Sequence, residues 1–171
     1  VEVIQYLYNT FKDTIDINKR NTDGNTAFMF AAWKNTNVEV IQYLYNTFKN
    51  TIDINIRNTN GNTAFMLAAW KNTNVEVIQY LYNTFKDVID INQKNKYSDT
   101  AFMLAAWNNI NEKVIQYLYN TFKDTIDINQ KNFEGNTAFM LAALENNNVK
   151  VIQYLYNTLK DVIDINQQNK Y

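Results

Sequence analysis

Apolar residues recur along the chain in two alternating patterns. From Val38 to Lys49, apolar side chains fall three or four residues apart, which places them on one face of a helix. Further along, Thr63 precedes the apolar run 64–70, a pattern typical of a second helix of about two turns with a threonine N-cap. Between them, residues 50–55 alternate β-branched and polar side chains, which predicts an extended leg, and the Asn60-Gly61 pair predicts a turn. The pattern therefore predicts one long and one short helix, joined by a hairpin-like loop.

This pattern returns every 37 residues with no insertion or deletion. Residues 1–37 and 38–74 differ at only four positions. Such regularity is typical of an array in which each unit packs only on its neighbours. The motif Ile-Gln-Tyr-Leu-Tyr marks each copy and begins at Ile4, Ile41, Ile78, Ile115 and Ile152.

The repeated unit resembles the ankyrin repeat. Residues 61–69 (Gly-Asn-Thr-Ala-Phe-Met-Leu-Ala-Ala) are similar to the family motif Gly-x-Thr-Pro-Leu-His-x-Ala-Ala, and 53–55 (Asp-Ile-Asn) to its Asp-Val-Asn. Residues 77–81 resemble its apolar second helix. The resemblance covers every copy in order, although the usual unit has about 33 residues. It implies an all-α, ankyrin-like α-solenoid of stacked helix-loop-helix units joined by short β-hairpin-like loops.

We interpret residues 1–171 as one ankyrin-like array. It contains a partial repeat, 1–23, followed by the units 24–60, 61–97, 98–134 and 135–171. Because the first helix is as apolar as its interior copies, we expect the chain to be part of a longer array. One aromatic residue near the end of each long helix is expected to cover the seam between units: Phe11, Phe48, Phe85 and Phe122, with Leu159 in the last copy.

The third hairpin departs from the others. It carries Ser98 where they carry Gly24, Gly61 and Gly135. If the position requires a positive φ, serine costs about 1 kcal/mol there. The substitution is either tolerated drift or a change that reshapes the tip and presents Tyr97.

Composition removes most chemistry. The chain has no Cys, no His and a single Ser, so the usual nucleophiles, general bases and thiolate ligands are missing. We therefore predict no enzyme activity, no cofactor and no metal. A net charge of −1 with dispersed Lys and Arg argues against nucleic-acid binding, and the apolar runs are too short for a membrane span. Recurrent aspartate pairs are interpreted as solvated loop residues: Asp13/Asp16, Asp87/Asp90, Asp124/Asp127 and Asp161/Asp164.

Two other features of the composition are interpreted as having no specific role. The 30 asparagines are attributed to drift towards AT-rich codons. The basic residues at positions 20, 57, 94 and 131 are interpreted as a solvated face.

The resemblance also locates a binding surface, since hairpin tips and short helices line a concave face in ankyrin arrays. The hairpin positions implied are Asp23, Asn60, Lys96, Tyr97, Phe133 and Glu134. The helix positions are Trp33, Lys34, Trp70, Lys71, Trp107, Asn108, Leu144 and Glu145. The tryptophans form either an aromatic binding stripe or packing between repeats.

Three functions remain open on these grounds, one of them an accessory segment of an enzyme whose activity lies in another domain. The first is a protein–protein interaction scaffold that binds a partner on its concave face. The alternative is a structural rod or spring that self-associates through its ends, and the near-identity of the copies favours it. We expect an intracellular, cytoplasmic location.

Overall fold

The computed structural model of the chain describes residues 1–12 and 14–163, and the regular secondary structure in this part is entirely α-helical. Long and short helices alternate, as the sequence pattern predicts. The long helices are α1 (Glu2–Phe11), α3 (Val38–Phe48), α5 (Val75–Phe85), α7 (Glu112–Phe122) and α9 (Val149–Leu159). The short helices are α2 (Ala27–Lys34), α4 (Ala64–Lys71), α6 (Ala101–Asn108) and α8 (Ala138–Glu145).

Side-chain caps fix where these helices begin. Thr63 accepts a hydrogen bond from the N–H of Met66 (3.3 Å), which confirms the predicted N-cap of α4. The long helix α5 is capped by Asn74, which accepts from the N–H of Glu76 (3.0 Å). The same threonine and asparagine caps recur at the other short helices and at α3, α7 and α9.

The short helices form the centre of the stack. In α4 and α6 every residue from the first alanine to the last is buried. Neighbouring short helices contact each other more extensively than neighbouring long helices do. The array therefore curves with the short helices on its inner side.

Phe85 and Phe122, near the ends of two long helices, cover the seams as predicted, whereas Phe11 in the first copy is 51% exposed. The Phe85 ring lies edge-on to Phe28 (6.1 Å between centroids) and to Tyr45 (5.2 Å). Phe122 makes the equivalent edge contacts with Phe65 and Tyr82. Each phenylalanine thus joins its own long helix to the repeat before it.

The hairpin tips need a left-handed residue. Gly61 has φ +80°, and a Cβ there would lie 2.8 Å from the backbone nitrogen of Lys96. Ser98 takes up the same conformation with φ +64°, at a cost of about 1 kcal/mol. Adjacent tips are joined by backbone hydrogen bonds, for example from the N–H of Lys96 to the carbonyl of Asn60 (2.9 Å).

The predicted extended leg at 50–55 is wrong. The segment instead makes two turns, at 49–51 and at 54–55. The second turn forms because the Asp53 carboxylate accepts from the N–H of Asn55 (2.9 Å), and a side chain that bonds its own backbone competes with extended pairing. Asp16, Asp90 and Asp127 do the same in their copies, whereas Asp13 and Asp164 lie outside the described residues.

Asparagine amides connect each repeat to the one before it. Buried Asn109 donates from Nδ2 to the carbonyls of Ala69 and Asn72, both at 2.9 Å, while its Oδ1 accepts from the N–H of Asn111 (3.0 Å). Asn72 and Asn146 make the equivalent three bonds. These donors satisfy carbonyls at the C-terminal end of the preceding short helix, which would otherwise be buried without partners.

Further asparagine bonds cross the same interfaces. Asn111, which caps α7, also donates to the carbonyl of Thr73 (2.7 Å). At the hairpin bases, Asn95 donates to Oδ1 of Asn62 (2.9 Å). The codon-drift interpretation therefore does not hold for these residues, because their amides have a structural role that a methyl group cannot fill.

Two of the basic residues interpreted as a solvated face are also structural. Arg57 donates from Nε to the carbonyl of Gly61 (2.9 Å) and from a terminal nitrogen to the carbonyl of Lys94 in the next repeat. Arg20 makes the equivalent bonds to Gly24 and Arg57. The arginines tie successive hairpins together.

We predict that Asn109→Ala destabilises the array by about 3 kcal/mol, since the three hydrogen bonds of a buried side chain are lost at about 1 kcal/mol each. Urea denaturation followed by circular dichroism measures this loss. The control is Asn120→Ala, on the exposed face of α7, which should change the free energy of unfolding by no more than about 0.5 kcal/mol. Equal losses of stability in the two variants would contradict the role of Asn109 in joining neighbouring repeats.

Asp99 places a carboxylate in the row of asparagines that bond from one hairpin base to the next. Its side chain is 4% exposed, and it replaces the asparagine found at positions 25, 62 and 136. Asn132 donates to it at 2.8 Å and Asn95 at 3.4 Å. Burial nevertheless raises the pKa of Asp99 above its ordinary value of 3.8, because desolvation of the charge outweighs these bonds.

A folded-state pKa above the unfolded one means that stability falls as the pH rises from about 4 through the folded pKa of Asp99. We therefore expect Asp99→Asn to raise the free energy of unfolding more at pH 7 than at pH 4, as measured by urea denaturation at the two values. The exposed change Asp87→Asn serves as the control. A gain for Asp99→Asn that is the same at both pH values would contradict the buried-charge account.

Candidate functional site

Three tryptophans stack along the inner side of the array. Trp33, Trp70 and Trp107 lie near the C-terminal ends of α2, α4 and α6, and each is half-buried. The ring centroids of Trp33 and Trp70 are 6.0 Å apart with planes 7° from parallel, and those of Trp70 and Trp107 are 6.0 Å apart at 20°. Phe30 stacks beside Trp33 at 6.2 Å. This tryptophan ladder is packing between repeats that still shows part of each ring to solvent.

Lysines of the chain cover the first two rings. Lys34 places its Nζ 4.1 Å from the centroid of the Trp33 ring, and Lys71 lies 5.2 Å from that of Trp70. Both lysines are exposed, so each contact contributes about 0.5–1 kcal/mol. The Lys71 ammonium also donates to Oδ1 of Asn108 in the following repeat.

The third ring has different surroundings. Asn108 stands where the first two copies have lysine, and the Trp107 Nε1 donates to Oε2 of Glu145 at 2.8 Å. In contrast, the indole N–H groups of Trp33 and Trp70 are buried and find no acceptor in the described part of the chain. The residue 38 positions after each tryptophan accounts for this difference. It is Lys71 for Trp33, which has no acceptor, and Asn108 for Trp70, whose oxygen accepts from Lys71. For Trp107 it is the acid Glu145.

The ladder ends at Leu144, which is 66% exposed. Beside it lies an open pocket of about 370 Å³ between the C-terminal ends of α6 and α8. Its lining combines apolar, amide and carboxylate side chains from the two repeats: Asn108, Ile110, Leu144, Glu145, Asn146 and Asn147.

The predicted hairpin residues are all exposed, and the structure brings some of them together. The Tyr97 side chain lies against Asn60, with its hydroxyl 3.5 Å from the amide oxygen of Asn60. The N–H of Phe133 donates to the carbonyl of Tyr97 (2.9 Å), so these two exposed aromatic residues belong to adjacent tips. The tip residues not in these contacts, Asp23, Lys96 and Glu134, are exposed on the same row of loops.

Sequence reasoning missed two residues of this surface. Phe30 extends the ladder by one ring, and Ile110 supplies an apolar wall of the pocket with 61% of its surface exposed. A signal existed for both. Position 30 is one of the four at which the first two copies differ, and Ile110 replaces the threonine found at 36 and 73.

Acidic and tyrosine side chains are the groups left for chemistry within residues 1–12 and 14–163. No cluster there contains three or more acidic residues placed to hold a metal ion. Burial raises the pKa of the Tyr80 and Tyr117 hydroxyls, which disfavours the tyrosinate that a catalytic base would require. The longest helices have 11 residues, and none in this part of the chain could cross a bilayer.

Comparison with protein families identifies the class. A three-copy ankyrin repeat model matches residues 1–95 and again 83–169. The chain therefore belongs to the ankyrin repeat family, whose members are typically non-catalytic modules for protein interaction. No curated protein sequence matches the chain significantly.

We predict that the stacked tryptophans are energetically coupled. A double-mutant cycle of Trp33→Ala and Trp70→Ala should give a coupling energy of about 0.5–1.5 kcal/mol in urea denaturation. The matched control is the cycle of Trp33→Ala with Trp107→Ala, two rings separated by Trp70, which should give a coupling close to zero. Equal coupling in both cycles would show that direct stacking is not its source.

Proposed function

We propose that the array is a protein–protein interaction scaffold that binds its partner on the concave face, and that it has no catalytic activity. The observation that carries the proposal is the set of large apolar side chains exposed near the third and fourth hairpins and the third and fourth short helices. These side chains are Tyr97, Ile110, Phe133 and Leu144, each more than half exposed. Large apolar side chains exposed among polar neighbours are typical of protein-binding surfaces.

The side chains on the proposed surface differ from one copy to the next, as recognition of a specific partner requires. In the first two copies, lysines cover the half-buried tryptophans, whereas the later copies carry Leu144 and the acids Glu134 and Glu145. The buried positions hardly change between copies. Variation at exposed inner positions supports recognition of one partner in one orientation.

A second candidate is the structural rod or spring. It is favoured by the interface bonds, because the same asparagine contacts recur at successive repeats.

We expect Phe133→Ala combined with Leu144→Ala to weaken partner capture at least about tenfold without loss of helicity, since both side chains are exposed. Trp70→Ala should also weaken capture while the array stays folded. The measurement is affinity capture from the native source with quantitative mass spectrometry, alongside thermal melting of each variant.

The control for this experiment is Tyr156→Ala, an exposed aromatic change on the long helix α9. It should leave capture unchanged. Recovery of the chain alone, with no foreign protein in stoichiometric amount, would favour the rod. A collapse of the melting temperature in Trp70→Ala would make that ring structural only.

A further inference from the structure

The three tryptophan positions share one geometry but differ in what occupies it. Over Trp33 and Trp70 the occupant is an ammonium group of the chain itself, from Lys34 and Lys71. At Trp107 the corresponding residue is Asn108, which has no charge and is too short to reach in the same way. Within the described residues, the array therefore presents two rings already supplied with a cation and a third without one.

The position of the missing cation follows from the repeat. Lys71 Nζ lies between the ring of Trp70 and the side chain of Asn108 in the next copy. One repeat further on, the equivalent point lies between the ring of Trp107 and the side chain of Glu145. The open pocket is lined by Asn108 and Glu145, so it adjoins this point, although the Trp107 ring is not part of its lining.

The charge at this point also changes sign. The residue 37 positions further on is Lys71 for Lys34, Asn108 for Lys71 and Glu145 for Asn108. Glu145 is exposed and its Oε2 already accepts from Trp107 Nε1 (2.8 Å), which leaves its other oxygen open to a second donor. A carboxylate beside an electron-rich ring face attracts a cation and repels an anion.

The remaining walls suit a long side chain. Ile110 and Leu144 are both more than 60% exposed and would cover the methylene groups of a lysine or arginine. Asn147 adds an amide oxygen that can accept from its head group, whereas the Asn108 oxygen already accepts from the Lys71 ammonium.

Resting on the scaffold function proposed above, we infer that this pocket binds a cationic side chain, lysine or arginine, of the partner protein. The partner's charge takes the place that Lys34 and Lys71 take over the first two rings. This contact fixes how the partner is aligned along the array, because its basic residue can bind in this way beside Trp107 but not beside Trp33 or Trp70.

The test follows the three indole N–H resonances by NMR. The probe is N-acetyl-arginine amide, with N-acetyl-lysine amide as the second cation, titrated at constant ionic strength. The matched neutral probe is N-acetyl-citrulline amide, which has nearly the shape of the arginine probe. We expect both cations to shift the Trp107 indole signal and the Ile110 methyl signals, while citrulline does so at least about tenfold more weakly.

Two variants locate the effect. Asn108→Lys restores the Trp-Lys pair of the first two copies, so it should fold normally and fill the site from within, which abolishes the shift. Glu145→Gln keeps the shape of the acceptor and should weaken the cation's affinity several-fold. The inference is overturned if citrulline matches arginine, if Trp33 and Trp70 shift as much as Trp107, or if Asn108→Lys still responds.

This experiment fails separately from the scaffold experiment. If Phe133→Ala with Leu144→Ala loses the partner while Asn108→Lys captures it normally and the probes do not discriminate, the scaffold role stands and the cation site is wrong. If the probes behave as expected and the array captures no partner, the cation site stands and the scaffold role is wrong.

Discussion

The structure depends on a side-chain amide that bonds across the interface between repeats. A short helix of eight residues leaves carbonyls at its C-terminal end without partners, and burying them against another repeat would cost about 1–3 kcal/mol for each unsatisfied group. Asn109 removes that cost with two donors that reach back one repeat, while its oxygen holds the turn into the next long helix. Because one residue fixes both the helix end and the loop, each repeat is positioned by its successor, and the array keeps the same offset throughout.

That constant offset explains why the inner side can carry function. Equivalent side chains of successive repeats are held at nearly the same separation, as the 6.0 Å spacing of both tryptophan pairs shows. A substitution at one rung therefore changes a defined point on a regular surface without disturbing the others. Replacement of lysine by Asn108 and of tryptophan by Leu144 are two such changes, and together they produce the open pocket beside Glu145.

Two substitutions in the third hairpin cost conformational and desolvation free energy. Ser98 holds a left-handed conformation that glycine adopts freely, and Asp99 places a carboxylate where the other copies have a neutral amide. Both lie in the hairpin that presents Tyr97, next to the tip that presents Phe133. The least regular hairpin thus adjoins the surface proposed for binding, and strain retained next to a binding surface is a common arrangement in proteins.

The helices, their threonine caps and the glycine turns could be predicted from the sequence, because each depends on residues within one or two turns of the chain. The extended leg could not, since Asp53 bonds its own backbone in preference to pairing as a strand. The site was predicted residue by residue but not as an arrangement, and Ile110 was absent from it. Trp107 and Glu145 are 38 residues apart and Asn109 reaches back 40, so their contacts depend on the offset between repeats. The sequence by itself determined that a 37-residue unit repeats and what helices it makes. Only the stacking of those units decided which asparagines hold them together and which tryptophan remains without a cation.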